Sequence, residues 1–136
     1  GLSARDIGLV ESHGTGTALG DPIEFAALGK AFGHFTQDRG FCALGAVKAN
    51  IGHADAASGI ASFIKAVMAV HTGHIPPHPL FEEANPALDL DASPFYINTA
   101  LRTGRMRKDH APPGSAPSAS AGPTPMPSSC RLPKSR

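Results

Sequence analysis

The sequence lacks the charge imbalance of a typical nucleic-acid-binding protein and the long apolar runs of a membrane-spanning protein. Its formal net charge is +1 over 136 residues, which gives no electrostatic reason to expect a nucleic-acid or membrane-surface partner. Its apolar runs stay below the roughly 18 residues that a membrane-spanning helix needs. The N-terminus lacks the basic and apolar regions of a signal peptide. We therefore expect neither nucleic acid nor membrane among its partners.

Cysteine and metal-ligand patterns are equally sparse. Cys42 and Cys130 are too far apart for a CxxC zinc pair or a disulfide framework, which fits a reduced, cytoplasmic setting. His71, His74 and His78 have the spacing of possible metal ligands, but no nearby carboxylate or cysteine completes the set. We expect no metal site.

Apolar runs and turn residues predict alternating strands and helices, and hence an α/β layer architecture. Strands are predicted at residues 7–10, 43–47 and 95–99, helices at residues 21–32 and 56–70, and a polar loop at residues 48–53. Asp21 as N-cap, Pro22 and Glu24 form a capping-box pattern at the start of the first helix. Its apolar face is predicted from five residues: Ile23, Ala26, Ala27, Ala31 and Phe32. The second helix is apolar nearly all round, which is typical of a helix buried in a larger protein.

The composition changes at residue 105. Pro, Ser, Ala and Gly dominate from there to residue 136, without apolar periodicity. This predicts a folded part over residues 1–104 and a low-complexity tail over residues 105–136. Such a tail cannot bury enough surface to offset its ordering entropy, so we expect it to be disordered.

Two histidines follow predicted buried strands. If the strands of His13 and His53 are parallel neighbours, both imidazoles lie at the sheet edge where open α/β sheets place their sites. With Lys48 nearby, they could polarise a carbonyl and stabilise an enolate. The alternative is two structural histidines at loop corners.

A phosphate-binding loop is a rival interpretation of the same region. Gly14-Thr15-Gly16, between a strand and a helix, faintly resembles a dinucleotide fingerprint. Asp21 and Glu24 at the helix start oppose it, because a pyrophosphate needs the free N–H groups and the positive end of the helix dipole.

Three segments resemble the β-ketoacyl synthases. VESHGTGTALGDPIE (residues 10–24) and VKANIGHADAASG (residues 47–59) resemble signature segments, most closely those of ketosynthase domains in modular type I polyketide synthases. GHIPPHPLFEEANPALDL (residues 73–90) resembles the loop that follows them in that family. The resemblance extends from about Ile7 to Leu101 and implies the C-terminal half of a thiolase-like fold, which is usually dimeric.

The resemblance also implies a reaction, a decarboxylative Claisen condensation. An acyl chain is held on a cysteine, and a malonyl-type extender arrives on the phosphopantetheine arm of an acyl carrier protein. That arm is a substrate carrier, and no cofactor is bound directly. Fatty-acid synthesis uses the same condensation and stays open beside polyketide synthesis.

Roles for individual residues follow from the same resemblance. The catalytic positions are His13 and His53, from a Cys-His-His triad, with Lys48 ordering the site electrostatically. The pantetheine contacts are Thr15 and Thr17, and the residues that support the catalytic groups are Glu11 and Asn50. The family's nucleophile lies in a TACSSS-like segment, which residues 1–11 do not resemble. We therefore expect the chain alone to be inactive. The alternative is a non-catalytic truncated or frameshifted remnant.

The tail suggests a shifted reading frame. The family closes its fold with a GGTNAH-like segment that is missing after residue 104. Codons allowed for PPGSAPSASAGPTPMPSS (residues 112–129), read from each third base, can give AGVSAFGVGGTNAHAVLV. We predict a frameshift, real or from sequencing, between residues 103 and 110. Resequencing the locus tests it, and a shifted frame without a GGTNAH-like strand would reject it.

Overall fold

A three-stranded parallel sheet organises the chain. The computed structural model describes residues 2–79 and 81–104. The predicted tail lies outside the described residues, and so does the sequence on which the frameshift hypothesis is based. The sheet contains β1 (Leu9–Glu11), β2 (Cys42–Gly45) and β4 (Phe95–Ile97), in the order β1-β2-β4. The helices are α1 (Gly20–Gly33), the short α2 (Lys48–Ile51) and α3 (Ser58–Thr72). An antiparallel ladder joins β3 (His74–Ile75) to β5 (Arg102–Thr103), which was not predicted.

Strand direction brings the two histidine loops to one edge. β1 and β2 pair in parallel, with Leu9 opposite Ala43 and Glu11 opposite Gly45. Because parallel neighbours end at the same edge of a sheet, the loops that follow β1 and β2 start side by side. The predicted α/β architecture is therefore what the structure has. Residues 48–51 differ from the predicted loop, since they form the helical turn α2.

Helix α1 packs on the sheet through aromatic side chains. The Phe25 and Phe32 rings meet Phe95 edge-on, with ring centroids 5.8 and 5.0 Å away, beside the buried Cys42. The predicted apolar face was wrong apart from Phe32, because Ile23 is 62% exposed and the three alanines are exposed too. Phe25 and Phe32 are seven residues apart, so they share a face that buries more area than the alanine face would.

The predicted capping box of α1 is also wrong. The helix begins at Gly20, and its N-cap Leu19 makes no side-chain hydrogen bond. Asp21 and Glu24 lie in the first two turns and accept hydrogen bonds from the preceding loop instead. The backbone N–H groups of that loop take the carboxylate oxygens that the cap would have used for the N–H groups of the helix.

Helix α3 turns its small residues inward and its large ones outward. Ser58 and Ala69 are buried, and Gly73, in the left-handed region at φ +70°, ends the helix two residues beyond the predicted range of residues 56–70. The exposed apolar residues of α3 are Ile60, Phe63, Ile64, Val67, Met68 and Val70. We call these six residues the outer face of α3. Among residues 2–79 and 81–104, no helix has the length and apolar character needed to cross a membrane.

Candidate active site

The loop after β1 is a tight turn that fits only glycine at one position. Gly14 has φ +44°, and a Cβ there would lie 2.5 Å from the Ala46 side chain. Ser12 fixes the start of the loop, because its backbone N–H and its hydroxyl both donate to the Gly45 carbonyl, at 2.7 and 2.9 Å. The backbone immediately before His13 is therefore fixed to the neighbouring strand.

Two carboxylates of α1 hold the same loop from the other side. Glu24 accepts the N–H of His13 at 2.7 Å on Oε1 and the N–H of Gly14 at 2.9 Å on Oε2. Asp21 accepts the N–H of Gly16 at 3.2 Å. Sequence reasoning assigned these residues to a helix cap and missed this role. The bonds also consume the N–H groups that a phosphate would need, which removes support for a dinucleotide loop.

The loop after β2 sets the second histidine. Gly52, at φ +81°, ends α2 in a conformation that favours glycine, and His53 follows it. Asp55 stands in the left-handed region at φ +47°, which aspartate tolerates better than most residues. From there its backbone N–H donates to His53 Nδ1 at 3.0 Å, and the Ser58 hydroxyl lies 3.5 Å from the same nitrogen.

His13, His53 and Lys48 come together at the sheet edge. The two imidazole rings are exposed and perpendicular, at 88°, with centroids 6.4 Å apart. Lys48, at the start of α2, donates to the His13 carbonyl at 2.6 Å and lies 3.3 Å from His13 Nδ1. These are the three residues that the sequence predicts to share one site.

The hydrogen bonds assign the same tautomer to both rings. A backbone N–H and an ammonium can only donate, so Nδ1 of His53 and Nδ1 of His13 both act as acceptors. In a neutral imidazole the other nitrogen then holds the proton. Both rings therefore have an Nε2–H group available as a donor.

The two predicted pantetheine contacts follow His13 in the same loop. The hydroxyls of Thr15 and Thr17 are 3.3 Å apart, and Thr17 also accepts the N–H of Gly20 at 3.1 Å. Thr15 lines a cavity of about 400 Å³ with Glu24, Lys48 and Phe81. Thr17 is exposed and does not line it.

Glu11 and Asn50, the two predicted supporting residues, form their polar contacts with groups other than the two histidines. Glu11, at the end of β1, forms an ion pair with Lys65 of α3, with 3.0 Å between Oε2 and Nζ. Asn50 donates to the Pro77 carbonyl at 3.2 Å and so ties α2 to the loop after β3. Sequence reasoning missed Lys65, although a single lysine within an apolar helix is a signal for a buried charge pair.

Among residues 2–79 and 81–104, the structure has no reactive thiol and no metal cluster. Cys42 is fully buried, and burial raises the pKa of its thiol to about 11, so it is not a thiolate near neutral pH. No group of three or more metal-ligating side chains occurs in this part of the chain. His74 instead has its Nδ1 2.8 Å from the Thr72 carbonyl.

Comparison with known sequences identifies the family. Residues 1–82 match the family described as "Beta-ketoacyl synthase, C-terminal domain". The chain is 48% identical over 103 residues to polyketide synthase PksL of Bacillus subtilis. It is 54% identical over 98 residues to one component of the phenolphthiocerol/phthiocerol polyketide synthase of Mycobacterium tuberculosis. These matches include 76% and 72% of this chain but only 2% and 6% of the relatives.

Solved structures agree with the sequence matches. The ketosynthase from module 6 of the bacillaene synthase of Bacillus subtilis is 39% identical, with a TM-score of 0.72 over 77% of this chain. Ketosynthase twelve from the bacillaene polyketide synthase of Bacillus amyloliquefaciens is 37% identical, with a TM-score of 0.74 over 79% of this chain. The chain spans 19% of each of those structures. It therefore belongs to the β-ketoacyl synthase family, as the C-terminal domain of a polyketide-type ketosynthase with the thiolase-like fold.

Proposed function

We propose that the chain supplies the two-histidine half of a ketosynthase site for decarboxylative condensation in polyketide chain elongation. The observation that supports this most is that Nδ1 of His13 and Nδ1 of His53 each face a hydrogen-bond donor, which leaves Nε2 of both rings to carry the proton. Hydrogen-bond donors that stabilise an oxyanion lie about 2.7–3.1 Å from it. Ring centroids 6.4 Å apart leave room for one oxygen within reach of both rings.

The reaction proposed for these groups is a decarboxylation followed by a condensation. In a malonyl-type thioester, the bond between the α-carbon and the carboxylate breaks and CO₂ leaves. The electron pair passes to the thioester oxygen as an enolate, which the Nε2–H groups of His13 and His53 stabilise. The enolate carbon then attacks an acyl group held as a thioester on a cysteine, and that thiolate is the leaving group.

Lys48 and Glu24 orient the catalytic groups in this proposal. Lys48 holds His13 at both its ring nitrogen and its carbonyl, and Glu24 holds the backbone N–H of the same residue. Together they fix the ring against rotation and against the wrong tautomer. Thr15, which lines the cavity, and Thr17, whose hydroxyl is 3.3 Å from that of Thr15, suit contacts with the polar pantetheine arm of an acyl carrier protein. The whole enzyme is proposed to act as a homodimer.

A reactive cysteine must come from outside the described residues, because Cys42 is buried as a thiol. The same observation favours a second candidate, a remnant that has kept the histidine geometry without catalysis. In both cases the chain by itself performs no condensation. The two candidates differ in whether the site works once a thiolate is supplied.

A chimeric ketosynthase tests the proposed function. In the unmutated bacillaene module 6 ketosynthase, the matched segment is replaced by residues 1–104 of this chain; we call this protein the chimera. We expect the chimera to release CO₂ from a malonyl thioester on an acyl carrier protein within about tenfold of the host rate, because the two histidine donors are already oriented. Radiolabelled CO₂ release measures this. A folded chimera that loads acyl groups but releases no CO₂ would favour the remnant.

A further inference from the structure

We infer that Lys65 is a positioning residue that sets the separation of His13 and His53, an inference that rests on the function proposed above. Lys65 lies in the middle of α3 and pairs with Glu11 at the end of β1. Glu11 is two residues before His13 in the sequence. The ion pair therefore joins the strand that leads into one histidine to a helix of the other histidine's loop.

The ion pair is buried and has little other support. The side chains of Lys65 and Glu11 are only 12% and 6% exposed. Apart from the Lys65 ammonium, neither carboxylate oxygen of Glu11 has a hydrogen-bond donor within the described part of the chain. The ammonium is therefore the charge that compensates this carboxylate, and a buried charge without compensation is strongly disfavoured.

The neighbouring strand leaves space for this contact. Gly45 stands opposite Glu11 in the sheet, and a Cβ there would lie 2.8 Å from Glu11 Oε2 and 3.2 Å from Lys65 Nζ. The Gly45 carbonyl meanwhile accepts both hydrogen bonds of Ser12. A single residue thus makes room for the ion pair and fixes the residue before His13.

One face of α3 connects the pair to the other histidine. Ser58 and Lys65 are seven residues apart, close to two helical turns, so they share a face. The Ser58 hydroxyl lies 3.5 Å from His53 Nδ1. Attraction between Lys65 and Glu11 holds this face against β1, which fixes the His53 end of the helix relative to the His13 strand.

The experiment separates positioning from folding in the chimera. Lys65→Met is expected to lower kcat for CO₂ release from malonyl thioester at least tenfold, with little change in KM. Acyl loading onto the host cysteine does not require the two imidazoles to share one oxygen, so its rate should change less than twofold. Lys65→Arg keeps the charge and should restore most of the kcat. Lys30→Met, which removes an exposed lysine of α1, is the matched control.

Each outcome decides the inference. If Lys65→Met leaves CO₂ release unchanged while His13→Ala removes it, the positioning role is wrong and the proposed function stands. If His13→Ala and His53→Ala both leave CO₂ release intact, the proposed function fails regardless of Lys65. If Lys65→Met unfolds the chimera, the exchange Glu11→Lys with Lys65→Glu decides. If the exchanged variant recovers CO₂ release, the positioning role of the Glu11–Lys65 ion pair is supported. If it recovers folding and acyl loading but not CO₂ release, that positioning role is rejected.

Discussion

Glutamine at His13 or His53 is expected to keep part of the CO₂ release that alanine or asparagine at the same position removes. The side-chain amide of glutamine reaches about as far as Nε2 of histidine, whereas that of asparagine reaches only about as far as Nδ1. In the structure Nδ1 of both rings is an acceptor, so the available donor is Nε2–H. Loss of one oxyanion donor typically costs about 10²–10³-fold in kcat. Single-turnover CO₂ release in the chimera measures each variant.

Acyl loading and thermal unfolding are the controls for this series. Both should stay near their unsubstituted values, since each ring is exposed on the described chain and its removal leaves no buried cavity. Asparagine variants that outperform glutamine variants would assign the working proton to Nδ1 and contradict the tautomer. Equal activity of alanine and glutamine variants would show that neither nitrogen acts as a donor.

Much of this site could be predicted because its residues follow strands. Apolar runs located β1 and β2, and a parallel arrangement of neighbours necessarily brings His13 and Lys48 to one edge. Both histidine loops contain glycines, and Gly14 and Gly52 have positive φ. The family resemblance, which the comparisons confirm, added the reaction. Spacing alone left structural histidines as an alternative.

Other features depend on contacts between distant residues, which local patterns do not encode. Asp21 and Glu24 fit a capping box, but the loop N–H groups of His13, Gly14 and Gly16 use the same oxygens. The sequence pattern does not show whether a carboxylate will accept hydrogen bonds from the N–H groups of its own helix or from those of the loop before it. The Glu11–Lys65 pair joins residues 54 positions apart, which no local rule connects.

The outer face of α3 is an exposed apolar surface that both the sequence and the structure indicate. The sequence predicts a helix without a polar face, and the structure packs its small residues inward. Phe63 and Val67, one turn apart, are left 63% and 46% exposed. A continuous apolar surface of this kind is typical of an interface. We expect another part of a complete ketosynthase to cover it, since the chain spans 19% of the solved ketosynthases.

Glutamate at both Phe63 and Val67 is therefore expected to have opposite effects in two settings. In the chimera, the two substitutions lose about 1.5–3 kcal/mol of apolar burial at each position and bury unpaired charge as well. That loss is a large part of the roughly 5–15 kcal/mol that stabilises a typical domain, so cooperative unfolding should shift far downward or disappear. In the isolated chain, the same substitutions should reduce aggregation, because they place charge on an uncovered apolar surface.

Thermal unfolding of the chimera and sedimentation velocity of the isolated chain measure the two effects. Phe35→Glu is the matched control, because Phe35 is 81% exposed but lies outside α3. It should leave the unfolding of the chimera nearly unchanged. If the double variant unfolds like the unsubstituted chimera, the outer face stays in water within the complete enzyme, and another part of the ketosynthase does not cover it. If only the double variant is destabilised, the complete enzyme buries Phe63 and Val67, and the outer face of α3 is an internal interface of the ketosynthase.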